Sequence, residues 1–122
     1  MLGEDSGLEV EALGGRPGVE TARWAEGRHV ERILEALVGV EDRRARYVCE
    51  LVALECDGHE LRGTGALDGH IADAPRGTGG FGFDPVFVPE GETQTVAELG
   101  DAWKAEHSHR ARAARALASQ LG

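Results

Sequence analysis

Between Gly77 and Pro85 the chain reads Gly-Thr-Gly-Gly-Phe-Gly-Phe-Asp-Pro. Glycines at 77, 79, 80 and 82 permit backbone angles that other residues avoid, so the main chain can lie close to a bound ligand. Phe81 and Phe83 offer flat faces, Asp84 adds a charge, and Pro85 stops a helix from starting there. A flexible approach, a stacking surface and a fixed carboxylate suit a pocket for a nucleobase or a similar planar group. The same residues also suit a glycine-rich surface turn leading into the short strand Val86-Phe87-Val88. Gly77, Gly79 and Gly82 satisfy G-x-G-x-x-G, a dinucleotide-binding pattern only after a strand and at the opening of a helix. Ala74-Pro75-Arg76 is not a strand ending and Asp84-Pro85 blocks the helix, so that reading fails.

Two further clusters carry chemistry. Glu4-Asp5-Ser6-Gly7 offers carboxylates, the ligands a hard ion such as magnesium prefers. Standing alone, Asp5 is also an ordinary turn residue. Lys104 and Ser108-His109-Arg110 offer donors for an anion or a carbonyl. Arg112 and Arg115, by contrast, read as solvated helix charges, and Phe87 as core. His29, His59 and His70 read as surface residues.

Composition bounds these readings. The length of 122 residues predicts one domain, residues 1–122, with 41% hydrophobic and 29% charged residues as in ordinary globular proteins. A net charge of −9 argues against a general nucleic-acid binder, which needs basic surface, but not against a nucleotide pocket holding a metal. No stretch approaches the roughly 18 consecutive apolar residues of a membrane span, and the acidic start does not resemble a signal peptide. Neither nucleic acid nor membrane is therefore expected as a partner. Cys49 and Cys56 are too few for a zinc site or a disulfide framework, and read as buried free thiols of a cytoplasmic protein.

The elements that must position these residues follow from patterning. Glu4 to Gly7 reads as a turn, and Leu8 to Leu13 alternates as a half-buried strand. Gly14 to Gly18 is a loop. His29–Val38 carries Val30, Ile33, Leu34 and Leu37 at helical spacing and stops at Gly39. Ala45–Cys56 has apolar residues on both faces, as a covered central strand requires. Asp57-Gly58 turns it into an antiparallel partner, Glu60–Leu67. Thr95 and Glu98 have capping-box spacing, and Gly100 closes that short turn. The C-terminal segment is helical, with Ser108 as a cap that restarts a second helix and aims His109 and Arg110 towards a site.

Taken in order, four motifs resemble the inosine triphosphate pyrophosphatase family: Asp5-Ser6-Gly7-Leu8, Leu13-Gly14-Gly15-x-Pro17-Gly18, Gly79 to Pro85, and Ser108-His109-Arg110. The resemblance runs along nearly the whole chain. It implies an α/β fold with a mixed, twisted sheet flanked by helices, and a homodimer. It also implies hydrolysis of non-standard purine nucleoside triphosphates (ITP, dITP, XTP) to monophosphate and pyrophosphate, with Mg2+, sanitising the nucleotide pool. Asp5 matches the active-site acid that helps hold magnesium and serves as base for the attacking water. Ser6 matches a substrate contact. Phe81, Gly82, Phe83 and Asp84 match the base-binding loop, Phe81 stacking on the purine and Asp84 accepting hydrogen bonds; Phe83 stands where many relatives have tyrosine. Lys104 matches a phosphate contact. His109 and Arg110 match donors to the oxygen at purine position 6. Adenine would leave those donors unpaired, at a cost of order 1–3 kcal/mol.

The match is incomplete in two respects. Relatives carry a Ser/Thr-Gly-Asn-x-x-Lys loop that grips the triphosphate, and no such loop occurs in these 122 residues. Glu4 replaces the usual first aspartate. The resemblance thus covers the C-terminal two-thirds of the family fold, with Met1-Leu2 as the stump of an earlier strand. The expectation is impaired turnover and uncovered apolar surface that promotes association. A misplaced start, completion by another chain, and a non-catalytic nucleotide-binding or oligomerisation remnant all fit this pattern.

Overall fold

The computed structural model describes residues 2–18, 21–78, 80 and 82–121. In chain order these are β1 (Leu2–Val10), a 3-10 turn (Glu11–Leu13), β2 (Arg16–Gly18), α1 (Thr21–Ala25), α2 (His29–Ala36), β3 (Arg44–Leu54), β4 (Glu60–Ile71), β5 (Phe87–Pro89), α3 (Val96–Leu99), α4 (Asp101–His107) and α5 (His109–Leu121). The strands make one five-stranded sheet in the order β2-β1-β3-β4-β5. This is the α/β class that the sequence implies. Its described ladders are all antiparallel, so the mixed strand direction is not seen among them.

Residues 4 to 7 are strand, not turn. The whole of β1 pairs with β3, from Leu2 opposite Ala53 to Val10 opposite Ala45. A continuous ladder and the burial of Leu8 and Val10 outweigh the local turn preference of Asp-Ser-Gly. One consequence matters for the site: strand alternation sends Glu4 and Ser6 to one face of the sheet and Asp5 to the other.

The first of these faces is covered. Ala45, Tyr47, Cys49 and Leu51 of β3 are buried. Ile33 and Leu37 pack there with Leu8, Val10, Leu67, Ile71 and Phe87, and Ala113 and Leu117 of α5 close over Cys49 and Leu51. Helix α5 lies directly on β4, because a Cβ at Gly63 or Gly65 would overlap its backbone. The second face is open among the described residues. Val48 and Val52 are half-buried and Leu54 is 47% exposed, so β3 is central without being covered on both sides. That face is laced instead by cross-strand ion pairs, Arg46 to Asp68 at 2.6 Å and Arg62 to Glu50.

Local signals behave as expected. The Asp57-Gly58 turn joins β3 to β4, with Gly58 at φ 89°. Thr95 and Glu98 form the reciprocal capping box of α3. Strand β4 runs four residues beyond Leu67, to Ile71. Cys49 is buried, but Cys56 is exposed in the hairpin turn rather than buried, since β3 ends at Leu54.

Candidate functional site

On the covered face, β1, β3, the glycine loop, α4 and α5 line an open-mouthed cavity of about 420 Å³, within the range of small-molecule sites. Ser6, Gly82, Phe83, Asp84, Lys104, His109 and Arg110 all line it. These residues come from three separated stretches of sequence. Phe81 lies outside the described residues.

The loop is held by specific bonds. Thr95 Oγ1 donates to Arg76 O at 2.7 Å, Arg76 N to Pro85 O at 2.8 Å, and Ala97 N to Asp84 O at 3.1 Å, tying the loop to α3. Gly80 sits at φ 72°, and a Cβ there would run into the Asp84 side chain. Glycine is therefore needed for the chain to fold round this carboxylate. Phe83 is 2% exposed and meets His29 edge-on at 5.0 Å.

Ser108 breaks the C-terminal helix. Its N–H closes α4 on Lys104 O at 3.0 Å, and its hydroxyl accepts from Ala111 N at 3.1 Å. The break turns Lys104 and His109 inward together. Lys104 Nζ donates to Asp84 Oδ2 at 2.5 Å, with both side chains largely buried. Tyr47 donates to the other oxygen, Oδ1, at 3.4 Å. Burial pushes the Tyr47 hydroxyl well above its usual pKa of 10, and the Asp84 charge and hydrogen bond add to the rise.

His109 stacks on Tyr47 with ring centres 4.6 Å apart and 9° between planes. Its Nδ1 is buried without a hydrogen-bond partner among the described residues. Burial, and then the positive charge of Arg110, lower its pKa from 6.5 to about 4, against the opposing pull of Asp84. The ring is neutral at pH 7 and offers one donor and one acceptor. Arg110 Nε donates to Glu4 Oε1 at 2.6 Å across the cavity's edge. Glu4 also accepts from Ser6 Oγ at 3.0 Å. Burial raises the Glu4 carboxyl, but the bonds from Arg110 and Ser6 outweigh it and leave it below its usual value.

Asp5 does not line this cavity. It is exposed on the open face, directly opposite Glu50, in a hollow shared with Val48, Thr64 and Ala66. Sequence reasoning also missed residues that the cavity gathers: Thr21, His29, Tyr47 and Asp101. His29, expected at the surface, is half-buried in the cavity wall because α2 starts beside the glycine loop. The only sequence signal for Tyr47 was its place on the apolar face of β3.

The sequence model of the Ham1 family matches residues 1–120. A protein of Bdellovibrio bacteriovorus named dITP/XTP pyrophosphatase is 42% identical over 99% of this chain, which covers 64% of it. One of the same name from Gloeobacter violaceus is 48% identical over 97% of the chain, which covers 62% of it. The Staphylococcus aureus Ham1 protein superposes with a TM-score of 0.92 at 37% identity, over 98% of this chain and 65% of that one. The chain thus spans just under two thirds of the length of these relatives.

Proposed function

The chain belongs to the Ham1 family, and from that premise we propose that it binds non-standard purine nucleoside triphosphates (ITP, dITP, XTP) and hydrolyses them to the monophosphate and pyrophosphate. One observation carries the reading. Residues from three distant motifs, Ser6, Phe83-Asp84, and Lys104 with His109-Arg110, line one cavity roomy enough for a nucleobase. Two of the matched relatives carry the name dITP/XTP pyrophosphatase.

In this reading the base enters between the glycine loop and α5. Asp84, paired with Lys104, accepts from a ring N–H, and Arg110 or neutral His109 donates to the 6-oxygen. Adenine has neither that N–H nor that oxygen, so it would leave buried groups unpaired. Phe81 adds a stacking face. Asp5 takes the proton of the attacking water as its oxygen bonds to the α-phosphorus and the bond to the pyrophosphate oxygen breaks.

Among the described residues no group of three or more His, Cys, Asp or Glu gathers to hold a metal. Magnesium, however, is commonly held by one or two carboxylates together with substrate phosphates. Asp5 offers an oxygen ligand of that kind, while Glu50 opposite it is paired with Arg62, so in this reading Asp5 is the ion's first protein ligand and substrate phosphates supply others. When bound, the ion would neutralise phosphate charge and acidify water. The same reading makes residues 1–122 one domain of a cytoplasmic homodimer. Exposed Val38 and Leu54 supply apolar surface for association. No described helix is long and apolar enough to cross a membrane.

A second reading rests on the separation of Asp5 from the cavity: a non-catalytic module that binds the base alone. Pyrophosphate release from ITP, dITP, XTP and ATP, with binding of inosine monophosphate, separates the two. Release from the oxopurine substrates but not ATP supports hydrolysis. Inosine monophosphate binding without release, unchanged in Asp5→Asn, supports the module. Equal handling of ATP and ITP defeats both.

A further inference from the structure

Tyr47 belongs to none of the motifs above, yet it touches both halves of the cavity wall. It is the fourth residue of β3, 8% exposed. Its ring packs on Phe87 at 4.5 Å and lies face to face with His109 at 4.6 Å. Its hydroxyl reaches Asp84 Oδ1 while Lys104 holds Oδ2.

For core packing alone, a large apolar ring would suffice at this position. The hydroxyl is an addition, and a buried hydroxyl is costly unless it finds a partner. It finds one in a carboxylate that is itself nearly sealed from water, with 5% side-chain exposure. Held by a phenol on one oxygen and an ammonium on the other, that carboxylate is set in one orientation before a ligand arrives. The parallel stack does the same for the His109 ring, whose buried Nδ1 has no bond among the described residues to orient it. Preorganised polar groups of this kind lower the cost of binding.

We infer that Tyr47 is the positioning residue of the cavity: its hydroxyl sets the Asp84–Lys104 pair and its ring sets His109, so the groups that meet the edge of a purine are arranged in advance. This rests on the cavity being an oxopurine site. Tyr47 itself is a positioning residue, not a catalytic one.

The test is Tyr47→Phe in the full 122-residue chain, which keeps the ring and the stack. Affinities for inosine and adenosine monophosphate are measured by calorimetry, and KM and kcat for ITP by pyrophosphate release. Loss of one long hydrogen bond, at the weak end of the usual range, predicts about a two- to threefold weaker inosine monophosphate affinity. The preference over adenosine monophosphate should narrow, and the kinetic change should fall on KM rather than kcat. Tyr47→Leu also removes the stack, and should shift the His109 ring-proton resonances away from their ring-current positions, which Tyr47→Phe preserves. Unchanged affinities and preference in Tyr47→Phe would reduce Tyr47 to core filling and overturn the inference while leaving the oxopurine reading intact. Failure of the unsubstituted chain to prefer inosine over adenosine monophosphate would instead remove the oxopurine reading, and the inference with it.

Discussion

The two faces of the sheet at β1 carry opposite kinds of site. On the covered face, Tyr47, Asp84, Lys104 and His109 are buried or half-buried and bonded or stacked to one another. On the open face, Asp5 stands exposed across from a like-charged Glu50, which is tied to Arg62. Like charges placed directly opposite on neighbouring strands are unfavourable without a cation between them. The first site is held together by its own contacts, whereas the second leaves Asp5 exposed beside a Glu50 paired with Arg62. The covered face is therefore organised by packing and internal bonds, and the open face at β1 presents exposed carboxylate oxygens.

The sharpest way to break this contrast uses two adjacent residues of β4. Gly65 faces α5 and Thr64 the open side. A side chain at Gly65 would meet helix backbone that cannot rotate away. Gly65→Val should cost about 3 kcal/mol or more, or abolish folding, by overpacking. Thr64→Ala should stay within about 0.5 kcal/mol. Urea denaturation of both variants reads the difference, and similar midpoints would mean that α5 is not seated on β4 as described.

Next in size is a mirrored pair of carboxylate changes. Asp84→Ala removes the carboxylate that the Lys104 ammonium and the Tyr47 hydroxyl share in a largely buried place. It should cost about 3 kcal/mol, the lower end for a broken buried pair because Lys104 keeps 21% exposure. Inosine monophosphate binding should be lost as well. Asp5→Asn should leave stability within about 0.5 kcal/mol and that binding intact. If Asp5 is the base, pyrophosphate release should fall by about 10²-fold or more. Loss of nucleotide binding in Asp5→Asn would show that the two faces are not separable.

The same division explains what could be read from the sequence. Signals that act within a few residues were legible: the Thr95–Glu98 box, the Asp57-Gly58 turn and the Ser108 break all depend on local bonds. The strand at Glu4 to Gly7 was not, because its ladder partner lies more than 40 residues away in β3. From that error followed the failure to see that Asp5 and Ser6 point to opposite faces. Of the residues the motifs singled out, Ser6, Gly82, Phe83, Asp84, Lys104, His109 and Arg110 line one cavity, whereas Asp5 lies on the other face. Tyr47 and His29 escaped because each is a single residue whose role arises only when β3, α2 and the loop meet.

The smallest expected effect concerns protons. An unfolded chain would protonate His109 near 6.5, whereas the folded chain withholds the proton until about pH 4, chiefly through burial. Between those values the unfolded state binds more protons, so stability rises with pH through the window and is lost as pH falls. At pH 5 the loss from this residue is at most about 2 kcal/mol. The other histidines are common to the parent chain and to His109→Gln, so their contributions cancel in the difference between the two. Urea midpoints at pH 7.5, 6.5 and 5.5 should therefore decline more steeply for the parent than for the variant. Glu4, whose lowered pKa weakens the fold only below its ordinary 4.5, lies outside that range. Parallel declines would mean that His109 reaches water freely, and that the covered face is no better prepared than the open one.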